Sequence, residues 1–341
     1  MTCIMKLRQY ILGALMGVAV FFTSCSNDDI VIAYESQVAV NSSSVINSFE
    51  AVNPGDLELL DKGYKLRTRL LFYDTNGQLA ASDSVFLNNW TEQAKLQPRL
   101  APGVYTVYAI SDVVRHNGTK TTLEYWALNN RDKLGTVRLT DTGWLGHERK
   151  IMGIGHQTLT VTEAGGNASI DVKPAGALFV YLFKNIHRFS DVTELEIAVQ
   201  KTGDYLTFDE RGNYTTSFKS GGTSFTAYRL VTITPGDFQG HSVYGYEFEL
   251  PAKNYALKYK VNYTSSGQNK YMLSNGFVID LEPGAQWLYT ADLAETSNNF
   301  AEELVLAERD EDVKACGAGL TDWSVPQLVS KRNSVYLKEY E

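Results

Sequence analysis

Apolar and polar residues alternate in short runs along most of this chain, and that pattern predicts β-strands. The clearest run is residues 104–110, VYTVYAI, which follows the turn signal Pro102-Gly103. An earlier run at residues 66–73 ends just before Asn76-Gly77, a pair that favours a hairpin turn because both residues tolerate positive φ. Helical periodicity is rare by comparison, so the pattern predicts an all-β chain.

Turn signals at short intervals between these runs are typical of β-sandwiches. Residues 177–183 are apolar throughout, as expected for a strand buried on both faces. We expect an N-terminal β-sandwich at residues 46–173, a second at residues 174–294 and a C-terminal extension at residues 295–341.

Three segments are less regular. Trp126–Arg131 is expected to be a short helix or a loop, and the acidic residues 301–314 a short helix or an acidic loop. Val335-Tyr336-Leu337 is expected to return as a late strand.

The chain begins with a different pattern. Lys6 and Arg8 precede an apolar run at residues 11–22, which is shorter than the ~20 residues that span a bilayer. A positive start followed by a short apolar run indicates a secretory signal at residues 1–24.

Phe22-Thr23-Ser24-Cys25 resembles the lipobox of bacterial lipoproteins. That resemblance implies cleavage before Cys25, a diacylglycerol on its thiol and an acyl chain such as palmitate on the new amino terminus. Residues 25–45 would then be a lipidated linker. Asp28-Asp29 resembles an export signal for the outer face of the outer membrane. The alternatives are an ordinary signal peptide with a chance cysteine and a solvated linker.

Composition narrows the function. The 341 residues carry a net charge of −8 and no basic cluster, which argues against nucleic-acid binding. Cys3 leaves with the signal and Cys25 carries the lipid, so Cys316 has no internal disulfide partner. We expect Cys316 to be an inert thiol, with pairing between molecules as the alternative.

Motifs for chemistry are incomplete. His147-Glu148 lacks the second histidine of a zinc protease, because Ile151 stands where it is needed. Gly153-Ile154-Gly155 lacks the third glycine of a dinucleotide loop. Asp310-Glu311-Asp312 is either a weak Ca²⁺ site or a solvated charge run. We therefore expect no catalytic residue, cofactor or metal site, and no enzyme activity.

Several segments together resemble the fimbrillin-A-associated anchor proteins of Bacteroidales, relatives of the fimbrillins. They are LLFYDTNGQL, LAPGVYTVYAISD and FVIDLEPGAQWLYTADL, which follow the lipobox in that order. The resemblance covers residues 25–293. It implies two tandem transthyretin-like β-sandwiches of Greek-key type. It also implies a role as fimbrial anchor or minor subunit in adhesion, joined to other fimbrillin-like subunits by donor-strand exchange.

Shaft subunits of that class lose their lipid and first strand to an Arg-specific protease. This chain has no Lys or Arg between Cys25 and Lys62, and its first Arg after Cys25 is Arg67, inside a predicted strand. We therefore expect the chain to keep its lipid and to act as an anchor or base subunit.

Two other roles stay open. A surface glycan-binding lipoprotein would display an aromatic platform, for which Trp90, Trp126 and Trp144 are candidates. A surface enzyme is the other alternative. Separately, Asp83-Ser84-Val85 resembles an O-glycosylation acceptor of this bacterial group, with a plain strand-edge turn as the alternative.

Overall fold

The structure is a computed structural model of the chain. It describes residues 32–45, 64–87, 93–116, 122–142, 150–184, 192–200, 203–209, 211–217, 228–233, 242–257, 259–265, 267–273, 277–292 and 301–306.

The described residues form almost only β-strands, as the alternating pattern predicted. In chain order the strands are β1 (Tyr34–Glu35), β2 (Gln37–Asn41), β3 (Tyr64–Tyr73), β4 (Leu79–Leu87), β5 (Ala94–Leu96), β6 (Arg99–Leu100), β7 (Gly103–His116), β8 (Thr122–Glu124), β9 (Trp126–Asn129), β10 (Arg138–Asp141), β11 (Met152–Val161), β12 (Asn167–Asp171), β13 (Lys173–Pro174), β14 (Ala177–Lys184), β15 (Val192–Gln200), β16 (Tyr205–Phe208), β17 (Tyr214–Ser217), β18 (Tyr228–Ile233), β19 (Ser242–Glu249), β20 (Ala252–Leu257), β21 (Tyr259–Ser265), β22 (Gln268–Leu273), β23 (Phe277–Leu281), β24 (Gln286–Asp292) and β25 (Ala301–Leu306). A short helical turn follows β2 at residues 43–45.

A six-stranded antiparallel sheet forms the middle layer of the N-terminal half. Its strand order is β13-β11-β7-β3-β4, with β8 paired to the end of β7. Residues 107–114 of β7 are all buried, including both sets of alternating positions. A strand buried on both faces requires a layer on each side of the sheet.

One face of this sheet is covered by the three-stranded sheet β12-β2-β5. Gly153 and Gly155 of β11 lie against it. A Cβ added to Gly155 would come within 2.5 Å of the Asp171 carbonyl oxygen, and one added to Gly153 within 2.3 Å of Val45. These two glycines therefore serve close packing between layers, which explains the Gly-Ile-Gly motif without a nucleotide.

The opposite face is covered by the four-stranded sheet β17-β16-β10-β9. The rings of Tyr108 and Phe208 meet edge to face at 5.3 Å between centroids. Trp126 is 2% exposed and donates its indole N–H to the Lys150 carbonyl at 2.6 Å. The expectation of a helix or loop at Trp126–Arg131 was wrong for its first four residues, because β9 pairs with β10 there. We call these three sheets the N-terminal stack.

β1 and β6 pair with each other as a separate two-stranded sheet. The other strands form the C-terminal sheets, β19-β14-β24-β25, β18-β15-β21-β22 and β20-β23. β14 and β24 run parallel, while β25 pairs antiparallel with β24. The expectation of a helix or loop at residues 301–314 was wrong for 301–306, because β24 offers a free edge that β25 extends. Val335-Tyr336-Leu337 lies outside the described residues.

Strand pairing crosses the predicted segments. The hairpin β16-β17, from the range assigned to the second sandwich, pairs with β10 of the N-terminal stack. Residues 34–41, from the range assigned to the linker, include β1 and β2. The buried core also continues from Val38 in β2 to Phe248 and Leu250 beyond β14. The domain bounds themselves stay a prediction.

Candidate tether and strand-exchange site

β2, the first strand of more than two residues in the described part of the chain, lies in the middle of its sheet. It runs parallel to β12, with Gln37 opposite Asn167 and Asn41 opposite Asp171. On its other side it runs antiparallel to β5. A strand with neighbours on both sides has its backbone donors and acceptors satisfied, unlike an edge strand.

Alternate residues of β2 point into the core. Val38 and Val40 are each 1% exposed. Full burial of such a side chain contributes about 1.5–3 kcal/mol to folding. β2 is therefore part of the hydrophobic core and not a flexible lead-in to it.

A chain of buried hydroxyls fixes the end of this strand. The Ser42 and Ser111 hydroxyl oxygens are 2.7 Å apart, and those of Ser111 and Thr68 are 3.0 Å apart. Ser111 and Thr68 are fully buried on the middle sheet. Since a buried hydroxyl without a partner costs about 1–3 kcal/mol, this network favours one register of β2 over a slipped one.

The ends of β2 are held by further hydrogen bonds. The Gln37 N–H donates to the Gly166 carbonyl at 2.8 Å, and the Val172 N–H donates to the Asn41 carbonyl at 2.8 Å. The Asn41 side-chain amide donates to the Asp171 carboxylate at 3.0 Å. The strand is thus tied to the β12 segment along its whole length.

The segment before β2 is packed as closely. Gly165, at φ 82°, lies so near the backbone that an added Cβ would come within 2.1 Å of the Glu35 carbonyl oxygen. The Ser36 N–H donates to the Pro98 carbonyl at 2.9 Å. The route from Tyr34 into the stack is therefore fixed.

Cys25, predicted as the lipid site, lies outside the described residues. Only residues 25–31 separate it from the described chain, and seven residues span at most about 25 Å when fully extended. A lipid on Cys25 would therefore keep the start of β1 near the membrane. The described residues include no helix long and apolar enough to cross a bilayer.

Arg67 lies in β3, as the sequence predicted, and it is 7% exposed. Its guanidinium forms two hydrogen bonds with the Asp112 carboxylate, at 3.0 and 2.6 Å, and also contacts Glu124. Arg69 lies 3.3 Å from the same Asp112 oxygen. A protease has no access to Arg67 in the folded chain.

The electrostatics of the two arginines differ. Burial alone lowers the pKa of Arg67, but the charges and hydrogen bonds of Asp112 and Glu124 outweigh it and raise the pKa above its ordinary value. Burial also lowers the pKa of Arg69, and Asp112 offsets this only in part. Arg67 is therefore the better compensated partner of Asp112.

The other residues singled out in the sequence lie apart from β2. Ser84 is exposed on the edge strand β4, and its N–H is bonded to the Asp83 carboxylate at 2.7 Å. His147-Glu148, Asp310-Glu311-Asp312 and Cys316 are not among the described residues. Within the described ranges, no three His, Cys, Asp or Glu side chains are grouped as a metal site requires.

Of the three tryptophans named for an aromatic platform, the structure describes Trp126 alone. Trp126 is a core residue between two sheets. Trp90 and Trp144 lie outside the described residues.

Comparison with known proteins gives similarity in structure only. No family model matches the chain, and no curated protein matches it. Among solved structures, a candidate cell adhesion protein from Bacteroides eggerthii has 14% identity and a TM-score of 0.48 over 81% of this chain and 97% of that chain. A candidate polysaccharide-binding protein from Bacteroides thetaiotaomicron has 10% identity and a TM-score of 0.46, over 80% and 95%.

The fimbrial anchor protein Mfa2 from Porphyromonas gingivalis is also similar, with 9% identity and a TM-score of 0.42 over 81% of this chain and 98% of that one. The resemblance predicted from the sequence is thus found again among solved structures. At these identities and TM-scores it assigns no function to this chain.

Sequence reasoning missed β2 as part of the site. The signal was present in the alternation of residues 37–41, QVAVN, in which Val38 and Val40 occupy one face. The run is only five residues long, and its place next to β12 depends on residues that come about 130 positions later.

Proposed function

We propose that the chain is a lipid-anchored subunit of the bacterial outer surface that serves as a fimbrial anchor or minor fimbrial subunit in adhesion. The observation that carries this proposal is β2, a buried strand that follows the lipobox after a short tether. A protein fixed by its own first strand and a lipid is suited to hold the base of a polymer. In this reading the halves of the chain are two tandem transthyretin-like sandwiches.

Retention of the first strand separates an anchor from a shaft subunit. Removal of β2 would leave β12 and β5 without their shared neighbour and would open a groove for a strand from another subunit. No Lys or Arg lies between Cys25 and Lys62, and Arg67 is buried in β3. The groove of the N-terminal stack therefore stays filled by β2, and other fimbrillin-like subunits join through a different part of the chain.

The proposal is tested in the bacterium that makes the protein. Wild-type protein should incorporate an alkyne-labelled fatty acid and should fractionate with the outer membrane. Cys25→Ala should abolish the label, and Cys316→Ala is the matched control that keeps it. Cells with Cys25→Ala should shed fimbriae into the medium or carry fimbriae of altered length. Unchanged fimbriae would count against the anchor role even if the lipid were present.

A further inference from the structure

The N-terminal tether and the first connection to the C-terminal sheets leave the N-terminal stack at opposite ends of one pair of strands. Two further connections, between β15 and β16 and between β17 and β18, also join the stack to those sheets. β2 and β12 run parallel, with their N-terminal ends side by side at Gln37 and Asn167. The segment that leads to Cys25 leaves from the N-terminal end of β2. The segment that leads to the C-terminal sheets leaves from the C-terminal end of β12, through Lys173.

Tension between the tether and the segment that follows β12 would therefore act along these two strands. A pull on the tether draws β2 toward its own N-terminus, while a pull on the segment that follows β12 draws β12 the opposite way. Backbone hydrogen bonds of a sheet run across the strands. A force along the strands loads all five residue pairs of the β2–β12 ladder together, whereas a force at one end would open them one after another.

From this topology we infer that β2 and β12 form a mechanical clamp that resists extraction of the first strand under tension. The clamp resists a force applied between the membrane tether and the segment that follows β12. The inference rests on the proposed function only for the source of that force. The geometry itself belongs to the folded chain.

Side chains reinforce the ladder. Extraction of β2 would pull Val38 and Val40 out of the core and would break the Asn41–Asp171 hydrogen bond. It would also separate Ser42 from the buried Ser111 hydroxyl. β5, on the other side of β2, adds three more residue pairs that must slip at the same time.

The test pulls on single molecules through pairs of cysteines. The chain is produced without residues 1–24, so the thiol of Cys25 is free for one handle, and Cys316→Ser removes the other native thiol. In the first geometry the second handle is placed by Lys173→Cys, at the C-terminal end of β12. In the second it is placed by Ala164→Cys, in the turn before β12. Lys173 and Ala164 are both exposed.

The two geometries differ in the side of β12 that is held, and the Lys173 handle also loads the two residue pairs of β13 with β11. With Lys173→Cys the pair is sheared, and with Ala164→Cys it is peeled from one end. We expect the lifetime of the folded state at constant force to be longer by at least about tenfold in the sheared geometry, since forced unfolding follows the unfolding rate. Equal lifetimes, or a longer lifetime when peeled, would overturn the clamp.

Two variants locate the resistance. Ala39→Pro in the middle of β2 removes a backbone N–H and should shorten the sheared lifetime towards the peeled one. Val40→Ala, a milder change, is paired with Val137→Ala as control, because both valines are 1% exposed and Val137 lies outside the β2–β12 ladder. Only Val40→Ala should shorten the sheared lifetime at matched stability in urea. If both shorten it equally, resistance belongs to the whole stack and the clamp is wrong.

Failure of this inference and failure of the proposed function have different readouts. The pulling experiment uses chain that never carried a lipid, whereas the anchor role is read from acylation and fimbriae in cells. Equal lifetimes would remove the clamp and leave the tether in place. Absence of acylation would remove the tether and leave the measured force difference in place.

Discussion

Two strands near the ends of the described chain, β2 and β25, are placed in their sheets in opposite ways. β2 lies between two neighbours and places Val38 and Val40 in the core. Among the described residues, β25 pairs with β24 alone and forms the edge of its sheet. A strand with two neighbours is part of the fold, and an edge strand is a surface that other strands can join or replace. β2 is therefore built into the core, whereas β25 is the edge of the sheet that the described residues form.

The largest difference is expected on removing each strand. Deleting residues 34–42 exposes the backbone edges of β12 and β5. This deletion should abolish the cooperative unfolding of the N-terminal stack, measured by near-ultraviolet circular dichroism in urea. Deleting residues 301–341 should leave that transition in place. A peptide of residues 34–45 should restore the transition to the first variant. If both deletions lower the unfolding free energy equally, β2 contributes no more to the fold than β25 does.

A second prediction compares a buried arginine of the N-terminal stack with an exposed one. Arg67→Met leaves the fully buried Asp112 without its main partner and should cost about 3–5 kcal/mol of unfolding free energy. Arg99→Met, at an exposed position of β6, is the control and should stay within about 0.5 kcal/mol. Chemical denaturation measures both. A small loss of unfolding free energy for Arg67→Met would mean that the Arg67–Asp112 ion pair contributes little to the stability of the N-terminal stack.

A smaller effect is expected for the hydroxyl chain at the end of β2. Ser111→Ala removes the partner shared by Ser42 and Thr68 and should cost about 1–3 kcal/mol, because two buried hydroxyls lose it. Ser82→Ala, exposed on β4, serves as the control. Hydrogen exchange should show faster opening of β2 in the first variant alone. Uniformly faster exchange across all strands would contradict a role specific to β2.

The smallest effect is a change in alkaline stability where β16-β17 docks on the middle sheet. Burial, together with the nearby Asp209, raises the pKa of Tyr108 to about 12. A raised pKa in the folded state stabilises the fold fully below the ordinary value of about 10, and that contribution is lost as the pH rises through 12. Stability should therefore fall between pH 10 and 12.

Tyr108→Phe should make this alkaline fall less steep, while it also removes the hydrogen bond from the Tyr108 hydroxyl to the Asp209 carbonyl. Tyr205→Phe, on the neighbouring β16, is the control. Urea midpoints measured across this pH range report the slope. An unchanged slope in Tyr108→Phe would show that another group controls alkaline unfolding.

Local sequence predicted the strands whose signals are local. The turn at Asn76-Gly77 was expected and is formed, with Gly77 at φ 71° and the Asp74 carboxylate accepting from the Asn76 N–H. β21 and β22 likewise pair with each other across a short connection. In each case the two strands are close in the chain, so the pattern and the turn suffice to pair them.

The remaining features depend on distant partners. From sequence alone β2 is predicted to be part of a linker, and it becomes a strand because β12 and β5 pair with it. β25 is predicted to be an acidic helix or loop, and it becomes a strand because it pairs with β24. The pairing of β16 with β10 joins ranges that the turn signals assign to separate sandwiches. Periodicity describes which face of a strand is buried, but it contains no information on which strand lies beside it.

Whether the chain keeps its lipid and β2 is tested most directly by the intact mass and amino terminus of the protein purified from the outer membrane. If the lipid is retained, the chain should begin at Cys25 and carry the added mass of a diacylglycerol and an amide-linked acyl chain. A chain without acyl groups that begins beyond Asn41, with β2 removed, would contradict it.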